Sequence, residues 1–324
     1  MEIKKIIFRA KQFGGLRLAR GYIKMGLGHV VALNVIKMFL GIKTRDEAYS
    51  VISSRTNKKL QERYKDFILK RKYYYDSLDL AHEHSSFVWT SWLQGFDNAP
   101  KLVRACVESM KQNLVGRKIM LISMDNYKDY IDLPNDIVEK FKAGMIPPAS
   151  FSDLLRLELL IKYGGTWMDA TVLCTRGGEI SAEKVMDCDL FVFQAIVGKD
   201  KRLHGISNWF MTACSNNKHL IVLRDVLMQY WRDYDCCLDY YIMHHFFMSI
   251  ASLFPNEIAK MPRVNRLIPL RLMNRMGDRY DESWMKKLLL QTCFHKLNYR
   301  LSKKVLNDPD NFYHVLVNNS LYYA

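Results

Sequence analysis

Residues 151–174, FSDLLRLELLIKYGGTWMDATVLC, set a leucine-rich run, a glycine pair and an apolar stretch around one carboxylate in unbroken succession. Asp169 is the residue whose chemistry needs a reason. Its neighbours Thr166, Trp167, Met168, Thr171, Val172 and Leu173 are β-prone or apolar, which predicts a buried strand. A carboxylate in such a strand is costly unless it meets a cation, a metal ion or a ring of donors. The bland alternative is a structural carboxylate that accepts from nearby backbone amides. Asp153 and Arg156 stand three apart and so share one helix face. The planar guanidinium fork on that face suits bidentate recognition of oxygen. The same two residues also read as a capping acid with an internal ion pair.

The elements that must hold these groups follow from the pattern. Leu154, Leu155, Leu157, Leu159, Leu160 and Ile161 predict a helix, opened by a capping box of Ser150 and Asp153. Gly164 and Gly165 stop it, because glycine takes the left-handed conformation at little steric cost. Upstream, 87–92 reads as a strand, 99–113 as an amphipathic helix, 118–123 as a second buried strand and 137–142 as helix. Helices dominate from residue 180, with a further strand over 191–197. This alternation predicts an α/β layer with a mostly parallel sheet. Ligands of such sheets bind outside the carboxyl ends of the strands, which is where Asp169 falls.

The segment resembles the SDxxRxxxLxxYGGxYxDxD region of GT-A-type sugar transferases, a group that covers the family 32 glycosyltransferases and the glucosylating toxins. In particular it is similar to the capsular polysaccharide synthesis proteins, whose version ends in GGxWxDAT. Ser152, Asp153, Arg156, Leu160, Tyr163, Gly164, Gly165, Trp167 and Asp169 fall on the pattern, and Thr171 occupies the place of the second DxD acid. FVWTSWLQGFDNAP at 87–100 resembles the first strand and donor loop, with Trp89, Trp92, Gln94, Gly95, Asn98 and Pro100 in place. Ser207 to Phe210, DYYIMHHFF at 239–247, and His295, Lys296 and Leu297 follow in the same order.

The resemblance implies a GT-A-type, Rossmann-like fold with a mixed, mostly parallel sheet flanked by helices. It implies retaining transfer of a hexosyl group from a UDP- or GDP-sugar to a lipid-linked saccharide acceptor, in capsular or other surface polysaccharide assembly. A divalent metal, Mn2+ or Mg2+, would sit on Asp169 and His295. A neutral hydroxyl at Thr171 is a weak ligand for a hard cation. Either the nucleotide therefore holds the metal in the main, or Arg156 and Lys296 share the task. Asp153 and Arg156 would contact the transferred sugar and its phosphate. Trp89 and Gln94 would line the nucleotide pocket, with Trp89 an equal candidate for plain core. Trp167, Asn208, Trp209 and Lys296 are further donor-binding candidates, and His245 joins Asn208 and Trp209 on the donor and acceptor side. For His295, a hydrogen-bonded core histidine is an equal reading. Arginines 263, 266, 271, 275 and 279 could meet the phosphate of a lipid-linked acceptor, or form a solvated basic face.

Composition bounds the alternatives. The chain has 324 residues, 12% aromatics and a net charge of +15, with 18 Lys/Arg against 7 Asp/Glu, a net of +11, in residues 1–80. These residues read as a basic helical region that touches an anionic membrane surface, with the catalytic domain at 81–324. The apolar run 25–36 is too short to span a bilayer, and no cleavage site for a signal peptide follows it. A nucleic-acid binder would interleave basic and aromatic residues across the whole fold, whereas the excess here is terminal. Nucleic acid is therefore not an expected partner. A non-catalytic membrane-surface module and an inactive transferase relative are the competing readings. Seven cysteines without a CxxC pair read as reduced thiols, which fits a cytoplasmic protein peripheral to the inner membrane face.

Overall fold

The computed structural model describes residues 15–195 and 205–318. Helices α1 (Gly15–Lys24), α2 (Gly28–Phe39) and α3 (Arg45–Asp76) come first. Strand β1 (Phe87–Ser91), helix α4 (Lys101–Asn113), strand β2 (Lys118–Ile122) and helices α5 (Asn135–Lys142) and α6 (Pro148–Tyr163) follow. Then come β3 (Gly165–Met168), β4 (Val172–Cys174), α7 (Ala182–Met186), β5 (Leu190–Gln194) and β6 (Ile206–Ala213). The chain continues through α8 (Lys218–Asp233), α9 (Ile242–Ala251), α10 (Pro255–Lys260), α11 (Glu282–Leu289), β7 (Phe294–Lys296), α12 (Lys303–Asn307) and α13 (Phe312–Asn318). The strand expected over 191–197 is β5; residues 196 and 197 lie outside the described residues, as do 1–14 of the basic N-terminal region.

The chain divides into two compact units. One comprises Met1–Asp79, Asp132–Leu155 and Lys218–Leu253, the other Leu80–Ile131, Arg156–Asn217 and Phe254–Ala324. The sequence suggests a single boundary near residue 80, whereas the chain passes between the units five times. Charge density marked that boundary, and charge density does not show which later helices complete a core.

The first unit is helical throughout its described part. A capping box opens α3: the Thr44 backbone N–H donates to Glu47 Oε2 at 2.7 Å and the Glu47 N–H to Thr44 Oγ1 at 3.3 Å. Leu60, Tyr64 and Ile68, four residues apart, form its buried stripe. Tyr64 meets Phe246 of α9 edge to face at 5.3 Å and donates to Asp233 of α8 at 2.7 Å. Arg71 forms an ion pair with Asp225 of α8. Residues of the basic N-terminal region thus wall the core of their unit rather than hang from it. No described helix is long and apolar enough to cross a membrane.

The second unit holds a five-stranded sheet in the order β2-β1-β3-β6-β5. β1 pairs in parallel with β2 and β3, while β6 runs antiparallel to both β3 and β5. Four strands therefore share one direction and β6 opposes them, which makes the sheet mixed and mainly parallel. Val88, Met168, Phe191, Phe210 and Phe294 share its core. A second, two-stranded antiparallel sheet pairs β4 with β7. Helix α4 is tied to it by Asn113, which donates to the Cys174 carbonyl at 3.0 Å, and by Ser109, which accepts from the Cys174 N–H at 2.9 Å.

Helix α6 starts at Pro148, before the expected cap at Ser150. Proline is favoured in a first turn, where its missing N–H has no partner to lose. Ser150 and Asp153 consequently lie inside the helix, past its first residue. All seven cysteines are free thiols.

Candidate active site

The glycine pair does more than end α6. Both residues have positive φ, 67° at Gly164 and 95° at Gly165. A Cβ on Gly165 would lie 2.4 Å from the Phe87 carbonyl oxygen, so only glycine lets β3 lie this close to β1. β3 then runs fully buried to Met168 and delivers Asp169 at its carboxyl end. The Asp169 N–H donates to the Trp209 carbonyl at 2.8 Å, and the Val172 N–H donates back to the Asp169 carbonyl at 3.0 Å, closing a tight turn. That turn leads directly into β4, whose register pairs Val172 with Lys296 and Leu173 with His295.

Neighbouring residues of a strand point to opposite faces, so β7 can offer this turn either Lys296 or His295, not both. It offers Lys296. The Lys296 ammonium donates to Asp169 Oδ2 at 2.9 Å and to Thr171 Oγ1 at 2.6 Å. On the other carboxylate oxygen, Oδ1, Arg156 donates through Nη2 at 3.4 Å and the Trp167 indole N–H at 3.1 Å. The buried Arg156 guanidinium also lies over the Trp167 ring, 4.9 Å from its centroid, where the ring face attracts a cation. Burial alone would raise the Asp169 carboxyl; the nearby charges of Lys296 and then Arg156 outweigh it and hold the group below its usual range. The Asp169 side chain keeps 32% of its surface exposed and that of Lys296 18%. The Arg156 side chain is 4% exposed, so the cation of the trio that reaches solvent is Lys296, beside the part-exposed carboxylate. Such a group can receive an anion.

It does not suit a divalent metal. The only carboxylate in the trio is already held by two cations, and the hydroxyl standing for the second acid is engaged by Lys296. His295 corrects the expectation of a metal ligand: it is fully buried on the opposite face of β7, with Nε2 3.2 Å from Thr175 Oγ1. Burial pushes its imidazole down to about 3, so it stays neutral. Among the described residues no group of three His, Cys, Asp or Glu could hold a metal ion.

Two other candidates turn out to be internal. Trp89 is 1% exposed, donates its indole N–H to the Gly164 carbonyl at 3.0 Å and packs on Phe87, Tyr130 and Tyr163. It has no free face for a base. Trp167 is equally buried, and its N–H is used on Asp169; it positions the carboxylate rather than touching a donor. For Trp167 the spacing to Asp169 signals this, because residues two apart on an extended chain share a face. Trp209 stacks on Phe193 at 4.7 Å in the core, so its part in the site is its backbone carbonyl.

Gln94 is exposed in the loop beyond the carboxyl end of β1, and Asn208 is half-buried on β6, the residue before the carbonyl that holds Asp169. Asp153, half-buried, lies one turn before Arg156 on α6. His245 belongs to the first unit and sits 3.6 Å from Asp239 there. Of the five arginines, 275 pairs with Asp278 at 2.9 Å and covers the Trp284 ring, and 271 reaches Gln291 at 2.5 Å. Arg263 and Arg279 are exposed and Arg266 is half-buried.

A family model described as capsular polysaccharide synthesis protein matches residues 37–316. No curated protein matches the chain. Among solved structures, the PaToxG glycosyltransferase aligns over 82% of this chain and 97% of its own, with 10% identity and a TM-score of 0.38.

Proposed function

This chain belongs to the capsular polysaccharide synthesis protein family, and we propose that it is a GT-A-type glycosyltransferase that moves a hexosyl group from a nucleotide sugar to a lipid-linked saccharide with retention of configuration. The observation that carries the reading is Asp169, held between Arg156 and Lys296 at the carboxyl end of β3. A nucleotide-sugar donor presents a diphosphate, and negative charge grows on that leaving group as the bond from the sugar's anomeric carbon to phosphate oxygen breaks. Fixed cations that meet this charge stabilise the transition state by several kcal/mol. Lys296 and Arg156 take that role, and Asp169 fixes their positions. Asp153 accepts from sugar hydroxyls, while Gln94 and Asn208 meet the nucleotide and the donor. The bond's electron pair leaves with the nucleoside diphosphate, an acceptor hydroxyl oxygen bonds to the anomeric carbon, and the hydroxyl proton passes to solvent.

On this reading transfer needs no divalent metal, because lysine and arginine supply the charge that a metal would. The acceptor places the enzyme at the cytoplasmic face of the membrane. The test is a panel of UDP- and GDP-sugars incubated with the purified protein, with Mn2+ or with chelator, and read by release of nucleoside diphosphate. One donor should be hydrolysed at equal rates in both conditions, and Asp169→Asn should lower its rate at least ~100-fold, about 2.7 kcal/mol of barrier. Nucleotide binding without turnover of any donor would identify a non-catalytic relative and overturn the proposal.

A further inference from the structure

Helix α2 is built inside out. Of its twelve residues, GHVVALNVIKMF, the one that is buried is polar: Asn34, 5% exposed. Its large apolar residues face outward, with Leu33 51%, Ile36 53% and Phe39 55% exposed, and the ridge continues through Leu40 at 68% and Ile42 at 64%. An exposed apolar surface of this extent, unlike single exposed side chains, marks a place where something docks.

Beside the ridge is a cavity of about 480 Å³, with Lys37, Lys43, Arg55, Lys58 and Lys59 around it against the single acid Glu62. Glu62 is met by Lys59 at 3.0 Å and by Lys58 at 4.0 Å. Lys37 and Arg55 form no ion pair with a carboxylate among the described residues, and Lys43 acts on Glu47 only through its charge. The cavity is a built one: buried Asn34 donates to the Val30 carbonyl at 2.8 Å and accepts from the Lys43 ammonium at 3.2 Å. That pair of bonds fixes a lysine charge in the cavity. Leu33 belongs to both cavity and ridge, so cation and apolar surface adjoin. From residue 15 to residue 62 the chain has nine Lys/Arg against three Asp/Glu, which leaves the surroundings basic as well.

We propose that this face of the first unit docks on an anionic phospholipid bilayer, with a lipid phosphate in the Asn34–Lys43 cavity and the ridge from Leu33 to Ile42 sunk to the boundary between headgroups and acyl chains. Phosphate matches the cluster of ammonium and guanidinium groups, and the acyl boundary matches an apolar ridge bordered by lysines. A soluble phosphate would use the cavity and leave the ridge without purpose. A protein partner would not require five cations around one acid.

The experiment is flotation of the full chain with vesicles of phosphatidylglycerol and phosphatidylcholine (3:7) or of phosphatidylcholine alone. Binding to the anionic vesicles should be at least ~10-fold tighter and should weaken when salt is raised from 0.15 to 0.5 M. Lys43→Glu with Arg55→Glu should reduce binding at least ~10-fold. Phe39→Ser with Leu40→Ser should reduce it at low salt too, because salt does not screen the apolar contribution. Circular dichroism and unchanged melting confirm that each variant is folded. Equal binding to the two vesicle types would overturn the proposal. So would release from vesicles by millimolar glycerol phosphate, or a concentration-dependent dimer that the serine pair abolishes while vesicles are not bound. Vesicle binding is read without any sugar substrate, so it stands or falls independently of the transfer chemistry.

Discussion

Replacing Lys296 by methionine keeps the length and apolar stem of the side chain and removes only its charge. Two unit charges about 4 Å apart at an effective dielectric of about 20 interact by about 4 kcal/mol. Lys296 is 18% exposed and Arg156 remains in the variant, so roughly two thirds of that is a reasonable loss of transition-state stabilisation. The result is about 2.7 kcal/mol, or a fall in kcat of ~100-fold. The loss should appear mainly in kcat, because the charge that Lys296 meets develops as the bond breaks. Stability should change by only about 1 kcal/mol, since Asp169 keeps Arg156 at 3.4 Å and the Trp167 N–H at 3.1 Å. Asp169 provides a second readout. Its folded carboxyl lies below the unfolded value, so its contribution to stability is present above that value, about pH 3.9, and is lost as pH falls through the folded one. Without Lys296 the folded value rises and the acid limb of stability should move to higher pH. Initial rates of nucleoside diphosphate release, with urea unfolding from pH 3 to 7, measure both. Wild-type kcat in the folded variant, or full rescue of its rate by Mn2+, would refute the assignment of charge to the lysine.

Three further outcomes follow from the same geometry. Thr171→Asp puts a second carboxylate beside the Lys296 ammonium; it should lower metal-free turnover at least ~10-fold and make the residual rate respond to Mn2+ titration. His219 and His295 are both fully buried and pushed down to about 3. The unfolded chain binds their protons from about pH 6.5 downward and the fold does not, so each should cost about 2 kcal/mol of stability between pH 6.5 and 5, and His295→Gln should flatten the slope of urea midpoints by one histidine's share. Gly165→Ala should cost about 3 kcal/mol or more, from its positive φ and the 2.4 Å approach to Phe87, while Gly144→Ala, with φ 68° and open space, should cost about 1 kcal/mol by the same urea titration.

What was legible in the sequence was the local grammar. The leucine run and the glycine pair follow from short-range sterics, and they put Asp169 near the end of its strand; the turn at 169–171, which breaks the single strand expected there into β3 and β4 of two different sheets, was not legible. Pairing across the fold was less legible. Whether His295 or Lys296 faces the carboxylate depends on a register that no single strand contains, and a slip of one residue exchanges the two. Trp89 read as a candidate for the nucleotide pocket because indole suits both a core and a base; its bond to the Gly164 carbonyl, 75 residues away, decides for the core. The basic charge of residues 1–80 was plain, but the stripe Leu60, Tyr64 and Ile68 finds its partners on α8 and α9, far along the chain. The inversion of α2 was hidden too, because an apolar run of that composition usually reads as core.

The short pairing of β4 with β7 also sets an order of events during synthesis. Arg156 and Trp167 lie within thirteen residues of Asp169, so they emerge from the ribosome with it, whereas Lys296 is 127 residues further on. At ordinary rates of translation that interval is roughly 6 to 25 seconds. Through it the sheet around β1 and β3 holds a carboxylate without its nearest cation. The nascent chain therefore passes through a stage that resembles a Lys296 variant, and it gains its full charge balance only when one of its last strands docks.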